Sequence, residues 1–453
     1  IGAALACMAG AAQAKEPANE APGARALMSF DSRFHPVIAT NGMVSAQDRI
    51  AADVGRDILA RGGNAIDAAV ATGFALAVTH PQAGNLGGGG FMLVALADSR
   101  DVIAIDFREM APAAATRDMY LGDDGEVDNQ RAQYSHLSSG VPGTVMGLLD
   151  ALETYGTMTR RQVMGPAIKL AYTGFPVSYG LSASINEHKE KLSKDESSVD
   201  YFFATDHAAP KPGSILTQKD LAETLRRIMK HGSDGFYKGK TAELLLAEMA
   251  AGGGIMTQAD LDNYKAVTRE AVTGTYKGYE VASMPPPSSG GVHVIQMLNI
   301  LSGYDLVGDG HNSADYIHKL TESMRRAYAD RSKYLGDPDY VEVPIEGLIN
   351  PAYGDYLRST IDLTKASLSS DIGPAAALPY ESNETTHYSV MDKDGNAVSV
   401  TYTLNFSYGS GYTVDGAGFL LNNEMDDFSS KPGSPNGFGL IGGVANQIEP
   451  GKR

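Results

Sequence analysis

The stretch PYESNETTHYSVMDKDGNAVSVTYTLN, residues 379–405, sets a loose polar run directly against two strand-like runs. From Asp362 to Glu384 the chain is rich in Ser, Ala, Asp and Pro and carries no sustained apolar period. Beyond the Thr385-Thr386 pair it reads as a tight β-hairpin. Lys393-Asp394-Gly395 suits a three-residue loop, a type I turn with Gly395 in the left-handed position. Asp392 then faces Asn396, and counting outward brings Thr385 opposite Thr403 on one side of the sheet. Asn405 falls on that side too, just past the end of the pairing. A row of hydroxyls and an amide fits an exposed polar edge, and it fits a reactive site equally well.

Working outward, the chain has 453 residues, 43% apolar and 20% charged, the balance of a large globular protein. That length allows two or three domains or one large layered domain. A net charge of −17 argues against nucleic-acid binding and against an anionic membrane surface. The first residues, IGAALACMAGAAQA, read as the later half of a secretory signal with cleavage after Ala14, so a periplasmic or secreted location is expected. Cys7, the single cysteine, lies inside that segment, which excludes disulfide and thiol chemistry from the mature chain. No later stretch approaches the roughly 20 apolar residues of a membrane span.

MVSAQDRIAADVGRDILARGG (43–63) has the spacing of an amphipathic helix stopped by Gly62-Gly63. NAIDAAVATGFALAVTHPQ (64–82) predicts a more buried helix, capped by Asn64 and ended before Pro81. GFMLVALAD and DVIAIDFRE read as paired strands. Further helices are predicted at TVMGLLDALETYG, RQVMGPAIKLAYTG, LAETLRRIMKHG and ADYIHKLTESMRRAYADRSKYLG, with strands in AVTGTYKGYEVASM. Helices and mostly antiparallel strands alternate, so the class is α+β, sheets covered by helices. No linker appears before residues 362–384, and there are no internal repeats.

Several motifs have plain structural readings. GNLGGGGF (84–91) lacks the Lys-Ser/Thr of a phosphate loop and precedes a strand, so it reads as a turn that lets backbones approach closely. DKDGN is a turn, its glycine misplaced for a calcium loop. The histidines show no metal-ligand spacing, so neither metal nor cofactor is predicted. MPPPSSGG (284–291) has no G-x-S-x-G elbow and reads as a structural loop, with a place beside a site left open.

A cut before Thr385 would give the hairpin a new chemistry. An N-terminal threonine carries a hydroxyl nucleophile and an α-amine with a pKa of about 7.7–8.0. That amine can act as general base for its own hydroxyl, with no histidine required. The same hydroxyl can make the cut by attacking the Glu384 carbonyl, an N→O acyl shift followed by hydrolysis.

These stretches resemble the γ-glutamyltransferase family of N-terminal-nucleophile hydrolases, bacterial periplasmic type. TTHYSV, DKDGNAVSVTYTLN, LLNNEMDDFSSKPG, AIDFREMAP and GNLGGGGFM carry the resemblance, and NGMVSAQDRIAADVG, SSGVPGTVMGL, MPPPSSGGVHVIQML and YADRSKYLGDPDYV extend it along nearly the whole chain. The resemblance implies a four-layer αββα sandwich and a proenzyme that cleaves itself between Glu384 and Thr385. Residues 1–14 would be a partial signal peptide, 15–384 the large subunit and 385–453 the start of the small catalytic subunit, the two pairing after cleavage. Thr385 would be the nucleophile and Thr403 its hydrogen-bonding partner. Arg108 would hold the substrate's α-carboxylate, a task suited to a bidentate guanidinium fork. Asn405, Glu424 and Asp427 would hold the α-amino group, the two acids three apart on one helical face. The donor would be glutathione or another γ-glutamyl amide, the acceptor water, an amino acid or a peptide.

Departures stand beside the matches. Position 424 is Glu where some bacterial members have Gln. The lid-like loop SSKPGSPNGFGLIGG (429–443) has Phe438 where a Tyr is common, which keeps an aromatic plug and loses a phenolic hydrogen bond. The family's later Ser-Ser pair and its Gly-Gly oxyanion hole lie outside this chain. Two alternatives remain at this level. A sibling acylase acting on cephalosporin side chains or poly-γ-glutamate would be told apart by donor preference, and an exported binding protein by a chain that stays whole at Glu384-Thr385.

Overall fold

The Lys393–Gly395 loop closes as its residues demand in the computed structural model, which describes residues 37–99, 101–204, 206–372 and 385–453. Gly395 has φ +94° and donates its N–H to the Asp392 carbonyl at 3.3 Å. The Asp392 carboxylate accepts the backbone N–H groups of Asp394 and Asn396, each at 3.0 Å, and that of Ala65 at 3.0 Å. One side chain thus shapes the turn and also meets the positive end of a helix from the far N-terminal part of the chain. The signal-like segment, Cys7 and Glu384 lie outside the described residues.

In chain order the elements that build the site are β1 (Gly42–Ser45), α1 (Arg49–Ala60), α2 (Ala65–Thr79), β2 (Gly89–Ala95), β3 (Val102–Asp106), α3 (Thr144–Tyr155), α4 (Arg160–Thr173) and α5 (Lys219–His231). They continue with β4 (Val267–Glu270), β5 (Val272–Tyr276), β6 (Tyr279–Ser283), α6 (Gly290–Leu301), α7 (Ala314–Tyr334), β7 (Thr386–Asp392) and β8 (Ala397–Thr403). Six strands form one antiparallel sheet in the order β1-β7-β8-β2-β3-β4. The β7–β8 register is the one counted from the loop, with Met391 opposite Ala397 and Thr386 opposite Tyr402. The helix and strand segments read from the sequence form, with one correction: the start of the 43–63 stretch is the edge strand β1, and its helix begins only at Arg49, where the Asp48 side chain caps it by accepting the Ala51 N–H; β4 is the other edge.

Each residue of α2 is buried, and Asn64 caps it in a reciprocal box with Asp67. This apolar helix lies under the hairpin, where Tyr388, Val390, Val398, Val400 and Tyr402 pack in the main core. The Tyr402 hydroxyl donates to the Gly73 carbonyl of α2 at 2.9 Å, tying strand to helix. Strict alternation then turns His387, Ser389 and Met391 to the opposite, open face. Of the expected layers, the described residues display this helical cover and one large sheet. The other paired strands among them are β5–β6 and a two-residue pair, Phe175–Pro176 with Ile215–Leu216. A smaller core of Val272, Val292, Ile295 and Leu348 joins β5 to α6.

The glycine run that leads into β2 is a close-approach device. A Cβ on Gly88 would strike the Thr403 carbonyl, and one on Gly90 would lie 2.6 Å from the Tyr402 Cα. Gly90→Ala is therefore expected to force β2 from β8 and to cost about 1–3 kcal/mol of overpacking. Urea unfolding checks this, and an unshifted midpoint would mean the contact yields without strain.

Candidate active site

Thr385 leads into β7 on the open face, and its Oγ1 donates to the Thr403 Oγ1 at 3.4 Å. That places the two threonines as the hairpin register requires. Thr403 Oγ1 in turn accepts the Asn405 backbone N–H at 3.0 Å. Asn405 stands at φ +76°, a left-handed conformation that asparagine tolerates better than most residues, and this bend ends the strand. The Asn405 side chain donates to the Asn423 carbonyl at 3.0 Å. From the glycine run, the buried Asn85 donates to the Thr403 carbonyl at 2.8 Å and accepts from Gly88 N and the Thr144 hydroxyl. Thr403 is thus held through its backbone as well as its side chain.

Arg108 follows β3 in a short turn where its N–H donates to the buried Asp106 carboxylate at 3.0 Å. Its Nη2 lies 2.8 Å from Glu424 Oε1 and 2.5 Å from Asp427 Oδ2. The acids sit on a 3₁₀ turn, Glu424–Asp427, where residues three apart eclipse. The sequence reading set Arg108 and the acidic pair at opposite ends of a head group, whereas here they touch. The physical reason is that a guanidinium so withdrawn from water needs a counter-charge. Burial alone would lower its pKa; Glu424 and Asp427 more than offset that and hold it above its ordinary value.

Thr385, Thr403, Asn405, Arg108, Glu424, Asp427 and Phe438 all line one cavity of about 460 Å³. The floor comes from β2 and β8, one wall from Ser288-Ser289 in the MPPPSSGG loop, and another from Tyr328 of α7. The loop read as structural therefore borders the site. Phe438 enters from the lid-like loop and meets Phe406 edge-on, centroids 4.9 Å apart.

Sequence reasoning missed Glu109, Asn85, Asn423 and Asp426. Glu109 is buried beside Arg108 with neither carboxyl oxygen hydrogen-bonded among the described residues. Burial and then the neighbouring Glu424 raise its pKa well above the usual carboxylate range. Burial also pushes Glu424 up to about 7 against the pull of Arg108, and burial with Asp427 pushes Asp426 up to about 7. Adjacency to Arg108 was the only signal for Glu109; nothing local announces its burial.

A hydroxyl pair, a partly buried cation and two carboxylates around one cavity are equipment for gripping a zwitterion and attacking a carbonyl beside it. The solved structures that superpose on this fold define that class as N-terminal-nucleophile hydrolases. The Helicobacter pylori gamma-glutamyltranspeptidase has a TM-score of 0.73 at 44% identity, covering 77% of this chain and 100% of that one. The cephalosporin acylase from Bacillus halodurans has 0.77 at 28% identity, covering 94% and 76%. Residues 51–453 match the family profile described as gamma-glutamyltranspeptidase, and the chain belongs to that family. It is 53% identical to the glutathione hydrolase proenzyme of Escherichia coli over 93% of this chain and 72% of that protein. It is 39% identical to the acylase ACY 1 proenzyme of Pseudomonas sp. (strain SE83) over 94% and 74%. The chain is accordingly a γ-glutamyltransferase precursor, with the acylases as more distant relatives. No helix among the described residues is long and apolar enough to cross a membrane.

The three raised carboxyls have a consequence for stability. A group with a raised folded pKa stabilises fully below its unfolded pKa and loses that contribution as pH climbs through the folded value. The cluster's contribution should therefore fade as pH rises from about 4, the ordinary carboxylate value, through about 7. Chemical unfolding across that window is expected to show the decline, and Glu109→Gln to flatten it. Equal slopes in the two proteins would remove Glu109 from the effect.

Proposed function

We propose that Thr385 is the nucleophile of a self-cleaving γ-glutamyltransferase, released by a cut at Glu384–Thr385. The gathering of Thr385, Thr403, Arg108, Asn405, Glu424 and Asp427 around one cavity carries this reading. In maturation the Thr385 hydroxyl attacks the Glu384 carbonyl carbon. The peptide C–N bond breaks as the Thr385 nitrogen gains a proton, and water hydrolyses the ester, leaving a Glu384 carboxylate and a free α-amine. The large chain, 15–384 after loss of the exported signal, stays paired with the small one that begins at Thr385.

In turnover the α-amine takes the hydroxyl proton as Oγ1 attacks the γ-carbonyl of a donor such as glutathione. The departing amine collects the proton and a γ-glutamyl ester remains on Thr385. Water resolves it to glutamate, or an amino acid or peptide amine resolves it to a new γ-glutamyl amide. Thr403 orients the nucleophile through their shared hydrogen bond. Arg108 holds the α-carboxylate, while Glu424, Asp427 and Asn405 hold the α-ammonium. A zwitterion brings one charge of each sign, so the trio can exchange internal contacts for ligand contacts without a net change of charge. Phe438 covers the bound donor as an apolar plug. The signal-like residues 1–14 support action in the periplasm or outside the cell.

Intact mass and N-terminal sequencing of the full-length proenzyme test the nucleophile. Two chains, the smaller beginning Thr-Thr-His-Tyr, are expected, with Thr385→Ala remaining whole. An uncut wild-type chain under folding conditions would end this reading in favour of a binding protein. Assay on γ-glutamyl and cephalosporin donors side by side separates transferase from acylase. Arg108→Lys, which loses the fork geometry, should lower kcat/KM on the γ-glutamyl donor by about a hundredfold or more. Parity between the two arginine-site proteins would mean that Arg108 does not read the carboxylate.

A further inference from the structure

Between the two acids that grip the head group in this reading stands a third, Asp426, which faces away from Arg108. It is 3% exposed. Its Oδ2 accepts the backbone N–H of Gly437 at 2.9 Å, the residue before Phe438, and its Oδ1 accepts from the Gln133 side chain at 3.2 Å. Gly437 has no room for more. A Cβ there would strike the Phe406 ring and lie 2.7 Å from the same carboxylate oxygen and 2.9 Å from Gln133 Nε2. The loop tip beyond is a self-contained turn, in which Asn436 Oδ1 accepts the N–H groups of Phe438 at 3.0 Å and Leu440 at 2.9 Å. Asn436 Nδ2 also reaches Asp427 Oδ1 at 3.3 Å.

We propose that Asp426 is a positioning residue, the latch that seats the 429–443 loop and so holds Phe438 against the cavity of Thr385. It does not touch the reacting atoms. Its place on the Glu424–Asp427 turn makes head-group binding and loop seating parts of one rigid piece, so a donor that orders the turn also orders the plug. The kinetic part of this proposal rests on the reading of Thr385 and its cavity; the structural part does not.

These 453 residues contain no tryptophan, so acrylamide quenching of a Phe438→Trp reporter, read as the difference from the same protein without it, reports loop seating directly. In that background Asp426→Ala should raise quenching about threefold or more, as expected for a loop that has lost its buried hydrogen-bond acceptor. Asp426→Asn, which keeps an acceptor for Gly437 N–H, should restore seating. Gly437→Ala leaves the acid in place, blocks the close approach and should reproduce the open state, which keeps the test decisive if Asp426→Ala folds poorly. In the full-length enzyme with Phe438 intact, Asp426→Ala should raise KM for a γ-glutamyl donor about tenfold and leave kcat within about twofold, with self-cleavage unchanged. Unaltered quenching in both Asp426→Ala and Gly437→Ala would overturn the latch. Altered quenching in a protein that never cleaves itself would keep the latch and sink the Thr385 reading instead.

Discussion

The pairing of β7 with β8 is the constraint on which the site depends. Two seven-residue strands joined by a loop with one left-handed glycine have their register set at the turn. Because side chains alternate, a slip of one residue would carry Thr385 and Thr403 to the helical face and Tyr388 and Tyr402 into the cavity. The apolar helix α2 forbids that slip, since it accepts only the face bearing the tyrosines and valines. The hydroxyl row is thus placed by what its neighbours must bury. Asp392 locks the same turn to the start of α2, so the helix, the turn and the strand ends form one unit.

Charge supplies the second constraint. Asp106 is fully buried, yet it accepts from Arg108 N and from Arg269 Nε at 2.8 Å. Arg453 adds its backbone N–H to Asp337 at 2.8 Å and its guanidinium to the carbonyl of Lys265. These groups stiffen the ground behind Arg108, so the cation meets Glu424 and Asp427 from a fixed base. Removing one member of such a buried set leaves its partner uncompensated, which costs more than the pair itself contributes. Glu109 and Glu424 bring carboxyl oxygens with no hydrogen-bond partner among the described residues to the wall where, in the proposed function, an ammonium would be read.

The same architecture serves transferases and acylases, so the scaffold does not choose between them. The choice falls to the head-group end of the cavity. In the proposed function, a set of one arginine and two carboxylates suits a free amino-acid head group bearing both charges. The loop above it contributes shape through Phe438, which packs edge-on against Phe406, rather than a phenolic hydrogen bond.

Much was legible in the residues alone. Periodicity placed α2 and its Asn64 cap, the turn chemistry of Lys393-Asp394-Gly395 set the hairpin register, and counting along it brought Thr385 to Thr403. Motif resemblance pointed to Arg108, Asn405, Glu424 and Asp427. The helix, its cap and the hairpin register were legible because they are local, written in caps, alternation and turns within a few residues. The tertiary structure alone decided what distant segments do to one another. The contact of Arg108 with both acids, the burial of Glu109, the clamp of Asn85 on the Thr403 carbonyl and the hold of Asp426 on Gly437 depend on dielectric and close approach. Those are properties of a packed interior, and no window of sequence contains them.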